Sequence, residues 1–516
     1  MPLAGLAVSV ALFTLLPLAY LVFRTLGVGV EDVAAMLLRG RTLRIVWNSI
    51  ALALGVTLVS SLVALPLAWL TVRTDLPGRR VWTVLIAMPL AIPSYVGAFT
   101  LVGMMGPKGM FQSILAPLGV ERLPSIYGFP GALWALTLFT YPYMYLSVRA
   151  GLQRMDPAIE EAARSLGYAH LEVFRKVTIP NLRPAITAGA LLVILYTLSD
   201  FGAVTLLRYN TFTRAIYIQY LSSFDRSLAA VLSLVLVGIT VLLLAVERRT
   251  RGHGRYYRSG TGVTRSRPLQ ALGPWTLPAL ALCGLVVFAA LLMPAGVIAF
   301  WLVRGLLAGE SLLSVWQATL NSLWASGLAA GLTVLLAIPV AYYSVRFPGT
   351  WSDLVSRAAY LGYGLPGIVI ALSLVFFGAN FLPGLYQTLA MLIFAYAVRF
   401  LPQALGSIQT SLLQFNPRLE EAARSLGMGP REAFLRITLP LMRPGLVTGA
   451  ALVFLTTMKE LPATLLLSPI GFHTLATQIW SATDEAFFAR AAAPALILLV
   501  ASASSIFLIL GREATS

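Results

Sequence analysis

Along most of this chain the apolar residues neither alternate nor recur at helical spacing; they run. Twelve stretches of roughly 20 residues, the length that crosses a hydrocarbon core of about 30 Å as a helix, can be marked out. They are 5–26, 47–72, 81–104, 127–148, 186–207 and 227–246, then 276–303, 321–345, 355–377, 382–401, 446–467 and 491–510. Backbone in lipid has to satisfy its own hydrogen bonds, so each stretch is predicted to be a helix; barrel strands would be shorter and would alternate. The first run follows Met1 with no basic leader and no small-residue cleavage site, which predicts a retained anchor helix rather than a removed signal.

The polar segments between the runs reveal a duplication. Residues 160–167 read EEAARSLG and residues 420–427 read EEAARSLG again, an offset of 260. The same offset links Pro142 to Pro402, Asp156-Pro157 to Asn416-Pro417, Pro180 to Pro440 and Gly189 to Gly449. Nearer the start of each repeat the offset is 273, pairing Asn48 with Asn321, Pro66 with Pro339 and Pro93 with Pro366. The first repeat therefore carries 13 extra residues between its third and fourth helices. The expected organisation is a first half over 1–246, a linker over 247–272 with seven Arg, and a second half over 273–516. The repeated octapeptides lie in loops at about 151–185 and 404–445.

Composition agrees with a bilayer: 58% of the residues are hydrophobic and 11% charged, against about a quarter charged in soluble domains. The net charge of +17 changes the picture only through its distribution. With residue 1 inside, the inner loops and C-terminal tail hold 25 of the 37 Lys and Arg and the outer segments 12, which predicts both termini in the cytoplasm. Arg24, Arg39, Arg41 and Arg44 run against that rule. The basic linker is expected to lie near anionic headgroups rather than to bind nucleic acid. Cys283, the single cysteine, excludes an internal disulfide and is expected to be a small core residue.

Each repeated loop has the punctuation of two short helices. Asp156-Pro157 and Asn416-Pro417 supply an N-cap and a first-turn proline, Gly167 and Gly427 a left-handed stop, and Pro180 and Pro440 an expected end to the second segment. Glu161 is expected to face outward while Ala162, Ala163 and Leu166 pack. This pattern, EAA, then Gly after three more residues and then a hydrophobic-x-Ile/Leu-Pro ending, resembles the EAA loop of binding-protein-dependent importer permeases. The resemblance implies an all-α membrane protein with the type I permease fold of ATP-binding-cassette importers, two homologous six-helix halves in one chain. It also implies coupling helices seated in a groove of a separate ATPase, carried here by Glu161, Ala162, Ala163 and Gly167 and by Glu421, Ala422, Ala423 and Gly427. No G-x-x-x-x-G-K-S/T occurs, so ATP and Mg are expected on that partner and none on this chain. Identical octapeptides predict one ATPase, as a homodimer, serving both halves.

Two acids fall inside spans: Asp200 in LYTLSDFGAV and Glu460 in LTTMKELPAT, again 260 apart. Intramembrane ionisable groups are costly, about 2.5 to 3.5 kcal/mol each on insertion scales. Either they line a translocation path, or they cap the short segments that follow, with Lys459 partly neutralising Glu460. The stretches SDFGAVTLLRYNTFTRAIY from Ser199 and MKELPATLLL from Met458 look like segments of ferric-iron importer permeases. This implies ferric iron delivered by an extracytoplasmic binding protein, across a bacterial inner membrane. Thiamine and phosphonate permeases share the architecture and stay open as alternatives. So does an ion-coupled secondary transporter, which explains the helices but leaves the EAA loops without a role. His170, His253 and His473 have no ligand spacing, and no nucleophilic constellation is visible, so neither a metal site nor a catalytic site is expected.

Overall fold

The computed structural model describes residues 2–107, 109–120, 122–222, 226–250, 269–310, 313–416 and 418–515. Most of the Arg-rich linker, with His253, lies outside them, as does Pro417. The described residues are helical almost throughout, and every predicted apolar run corresponds to a helix or a bent helix pair. In chain order the principal helices are α1 Pro2–Leu26, α2 Gly40–Arg73, α3 Ser94–Met105, α4 Phe129–Arg154, α5 Ile179–Ser199, α6 Gly202–Leu206 and α7 Ser227–Thr250. The second repeat follows with α8 Gly273–Leu307, α9 Leu313–Arg346, α10 Gly367–Phe381, α11 Leu389–Gln414, α12 Arg443–Met458, α13 Pro462–Leu467 and α14 Phe488–Thr515.

Among the described residues seven helices are long and apolar enough to cross a membrane unbroken, and ten spans result if each of three bent pairs counts as one. The two remaining predicted runs fall on α4 and α14. The bends correct the picture of twelve simple rods. Runs 81–104 and 355–377 turn by 91° and 99°. The cause is local: a proline disfavours helical dihedrals at the residue before it. Ile92 and Leu365 accordingly have ψ of 115° and 124°, and α3 and α10 restart immediately after Pro93 and Pro366. Runs 186–207 and 446–467 also stop short, at Ser199 and Met458.

Compactness divides the chain differently from its repeat. One unit gathers Met1–Thr42, Ala215–Val237 and Leu306–Leu498, and the other gathers Leu43–Arg214, Gly238–Gly305 and Leu499–Ser516. Thus α1, first in sequence, packs on α9 and α10 of the second repeat. Tyr20 holds it there: its ring meets Phe377 and Phe381 edge-on at 5.7 and 5.9 Å, and its hydroxyl donates to Phe376 O at 3.4 Å. In the other unit α8 packs against Arg79–Ala87 and α4 of the first repeat, with Cys283 fully buried. Within each repeat the same core recurs: α4 against α5 and α3 against α6 in one, α11 against α12 and α10 against α13 in the other.

Candidate functional site

Two pairs of features repeat: a loop that carries the octapeptide, and a break where a membrane helix stops. In the first loop Asp156 caps the helix Pro157–Ser165, its Oδ1 accepting from Ala158 N at 3.0 Å. Gly167, at φ +89°, then ends it, with Gly167 N donating to Arg164 O and Tyr168 N to Ala163 O. The second loop does the same with Asn416 Oδ1 accepting from Arg418 N at 3.0 Å, the helix Arg418–Ser425, and Gly427 at φ +94°. The second short segment does not end at Pro180. A π turn, Phe174–Thr178, runs directly into α5, and its wider winding accommodates the proline ring and the hydrogen bond that proline cannot donate. Its counterpart Phe434–Thr438 passes Pro440 too, and the 64° bend comes later, at Met442.

Exposure sorts the octapeptide residues. Glu161, Glu421, Ala162 and Ala422 are exposed, Ala163 and Ala423 are buried, and Leu166 and Leu426 stand 80% and 86% exposed. The expectation that Ala162 and Leu166 pack is therefore overturned: each helix is too short to bury more than one face, and the glycine turn lifts the leucine off it. Sequence reasoning also passed over Glu160 and Glu420, the first acid of each EE pair. Glu160 is buried, with Oε1 3.4 Å from Arg73 Nη2 and accepting from Thr178 Oγ1 at 2.9 Å. Glu420 accepts from the Tyr342 hydroxyl at 2.6 Å and from Thr438 Oγ1 at 3.1 Å. The signal was available, since each lies three positions before the buried alanine and so on the same helix face. Glu172–Lys176 and Glu432–Arg436, by contrast, are exposed i,i+4 pairs at 3.1 Å, of the kind worth little. Lys176 still holds the Glu172 carboxyl below its ordinary range by the hydrogen bond it donates.

At the breaks, the acids act as caps. Asp200 is 6% exposed; its Oδ1 accepts from Ala203 N at 3.0 Å and Val204 N at 3.2 Å at the start of α6, and its Oδ2 accepts from Ser94 Oγ. Glu460 is 5% exposed; its Oε1 accepts from Ala463 N at 3.2 Å in α13 and pairs with Arg399 Nη1 from α11. Arg399 thus stands where Lys459 was expected. The segments beyond the breaks are latched to the far ends of α2 and α9. Asn48 Nδ2 donates to Asn210 O and Ser49 Oγ accepts from Phe212 N; Asn321 Nδ2 donates to His473 O and Ser322 Oγ accepts from Leu475 N, all at 2.8–3.1 Å. Asp200→Asn keeps an amide oxygen on both main-chain donors and is expected to melt within about 0.5 kcal/mol of wild type. Asp200→Ala is expected to lose about 1–2 kcal/mol. Thermal unfolding in detergent compares them; equal losses would mean that the charge matters rather than the cap. Among the described residues no three His, Cys, Asp or Glu come together as a metal site.

The family model described as "Binding-protein-dependent transport system inner membrane component" matches residues 59–251 and again 332–512, one match over each repeat and its loop. The chain belongs to this family. The permease is 34% identical to the "Fe(3+)-transport system permease protein FbpB 2" of Haemophilus influenzae over 508 residues, 98% of this chain and 97% of that protein. It is 24% identical over 488 residues to the "Ferric transport system permease protein FbpB" of Actinobacillus pleuropneumoniae, covering 91% and 71%. The "Sulfate transport system permease protein CysT" of Escherichia coli matches over 205 residues at 30%, covering 37% of this permease and 73% of that protein. The permease is a multi-pass inner-membrane protein with a duplicated helical fold.

Proposed function

We propose that this permease forms the path by which ferric iron, delivered by an extracytoplasmic binding protein, enters the cell at the expense of ATP hydrolysed on a separate homodimeric ATPase. The observation that carries this reading is the duplication of the loop in both sequence and geometry. Two copies of one octapeptide, with matched caps, glycine stops and exposed leucines, suit two copies of one motor. The ferric assignment draws on the near full-length similarity to the Haemophilus influenzae permease. Glu161, Ala162 and Gly167, with Glu421, Ala422 and Gly427, form the faces presented to the ATPase, while Ala163 and Ala423 seat each loop helix. ATP and Mg belong to that partner. Both chain termini lie on the loop side, in the cytoplasm.

The mechanism is alternating access. Each of α2 and α9 has 34 residues, about 50 Å at 1.5 Å per residue. One end of each meets its EAA loop and the other holds the segment beyond a break. Closure of the ATPase dimer displaces the loops, the long helices follow, and the breaks shift with them. Asp200 and Glu460 contribute by keeping the short helices beside the path in place. In proteoliposomes that hold the permease, its ATPase and iron-loaded binding protein, ferric iron is expected to accumulate only with ATP. Accumulation driven by an ion gradient without the ATPase would overturn the reading in favour of a secondary transporter.

A further inference from the structure

In both loops the exposed glutamate of the motif has a neighbour, buried in the first loop and half-buried in the second, with better-defined partners than its own. Glu160 sits under the first loop helix between two elements: Arg73, the last residue of α2, and Thr178, in the π turn that leads into α5. The rings of Trp69 and Phe174 cross the same gap edge-on at 5.0 Å. In the second repeat Glu420 occupies the equivalent place, between Tyr342 near the end of α9 and Thr438 in the equivalent π turn. Tyr342 and Phe434 meet edge-on at 5.2 Å, as their counterparts Trp69 and Phe174 do. Each carboxylate thus joins three elements: the loop helix, the end of the long membrane helix, and the turn that begins the next one.

We propose that Glu160 and Glu420 are the positioning residues that fasten each loop helix to its long membrane helix. Through them, displacement of the loop moves α2 and α9 instead of merely bending the loop. The inference rests on the reading of the loops as the place where an ATPase acts. The physical case is the contrast with Glu161 and Glu421, which are exposed and make no side-chain bond among those described, so a force on them stays in the loop. A buried carboxylate with charged or hydroxyl donors on two other elements gives way only if those donors are left unpaired in an apolar site, which is unfavourable. The two links are unequal. The first is an Arg–Glu ion pair with both side chains over nine-tenths buried. The second is a tyrosine hydroxyl on a half-buried carboxylate beside a cavity of about 10 Å³, lined in part by Arg346, Glu420, Thr438 and Phe415. The first half is therefore the stiffer connection, and its loss is the more damaging.

The test uses the full chain with its ATPase and iron-loaded binding protein, and reads iron carried per ATP hydrolysed. Glu160→Gln is expected to lower that ratio at least tenfold with the ATPase still bound and still hydrolysing. Tyr342→Phe, which keeps the ring and removes one hydroxyl, is expected to lower it two- to threefold. If Glu160→Gln does not accumulate in membranes, the pair Arg73→Gln with Glu160→Gln removes both charges of the ion pair and carries the test, with the same tenfold loss expected. A ratio within twofold of wild type in these variants, while wild type carries iron, overturns the link alone. Wild type that carries no iron with ATP overturns the functional reading, and the link is then judged on the isolated permease by amide exchange over residues 158–168. That exchange is expected to accelerate at least tenfold in Glu160→Gln, and unchanged exchange overturns the link whatever the cargo.

Discussion

Gly367→Ala is expected to destabilise the permease by about 1–3 kcal/mol, the usual consequence of leaving a buried acceptor without its donor when the flexible, part-buried Arg399 side chain swings away. The Cβ it adds falls 1.4 Å from Arg399 Nη1 and 2.6 Å from Glu460 Oε1, so the guanidinium has to leave the carboxylate to make room. What makes the position informative is its counterpart. In the first repeat Ser94 stands in place of Gly367 and supplies the hydroxyl that Asp200 accepts, and Phe139 stands in place of Arg399. Phe139 in turn lies against Gly97, where a Cβ would come within 1.9 Å of the ring, and the second repeat has Ile370 there. Each break is thus served by a matched set, and single substitutions mix the sets. The triple variant Gly367→Ser, Ile370→Gly, Arg399→Phe installs the first repeat's set and is expected to regain at least half of the loss seen with Gly367→Ser alone. Unfolding midpoints in detergent and yield in membranes measure both; an unchanged midpoint in Gly367→Ala would show that the ion pair does not hold the break.

The second large effect belongs to the loop tips. Leu166→Asp together with Leu426→Asp is expected to weaken ATPase binding by about 3–6 kcal/mol, a hundredfold to ten-thousandfold in Kd. At 80% and 86% exposure these leucines stabilise nothing within the chain, and two such side chains at equivalent tips are suited to burial in a partner. Burial of one leucine contributes about 1.5–3 kcal/mol, and a buried aspartate would remove at least that much at each tip. Because the tips are solvent-facing, insertion and the melting temperature of the isolated permease are expected to stay at wild-type values. Titration of purified ATPase against the permease in nanodiscs gives the affinities. Wild-type affinity in the double variant would remove the leucines from the docking face.

Much of this was legible in the sequence because the features are local. Runs of apolar residues dictate helices wherever backbone must satisfy itself, and the twelve runs all fall on helices. The caps at Asp156 and Asn416 and the left-handed stops at Gly167 and Gly427 depend on neighbours only a few residues away, and they form as their residue types require. The bends after Ile92 and Leu365 were encoded equally locally, in Pro93 and Pro366, although a hydropathy run hides them.

What lies far apart in sequence was decided only by the fold. Arg399 approaches Glu460 from 61 residues away and Arg73 approaches Glu160 from 87, distances over which no spacing rule operates. The packing of α1 with the second repeat, anchored by Tyr20, is of the same kind: an apolar helix carries no mark of which apolar face it will cover. The octapeptide shows the division most plainly. By itself the sequence determined two matched loops with a capped start and a glycine stop. Only tertiary packing decided what the first glutamate of each pair would meet, because that depends on where α2 and α9 end and on the donors they bring there.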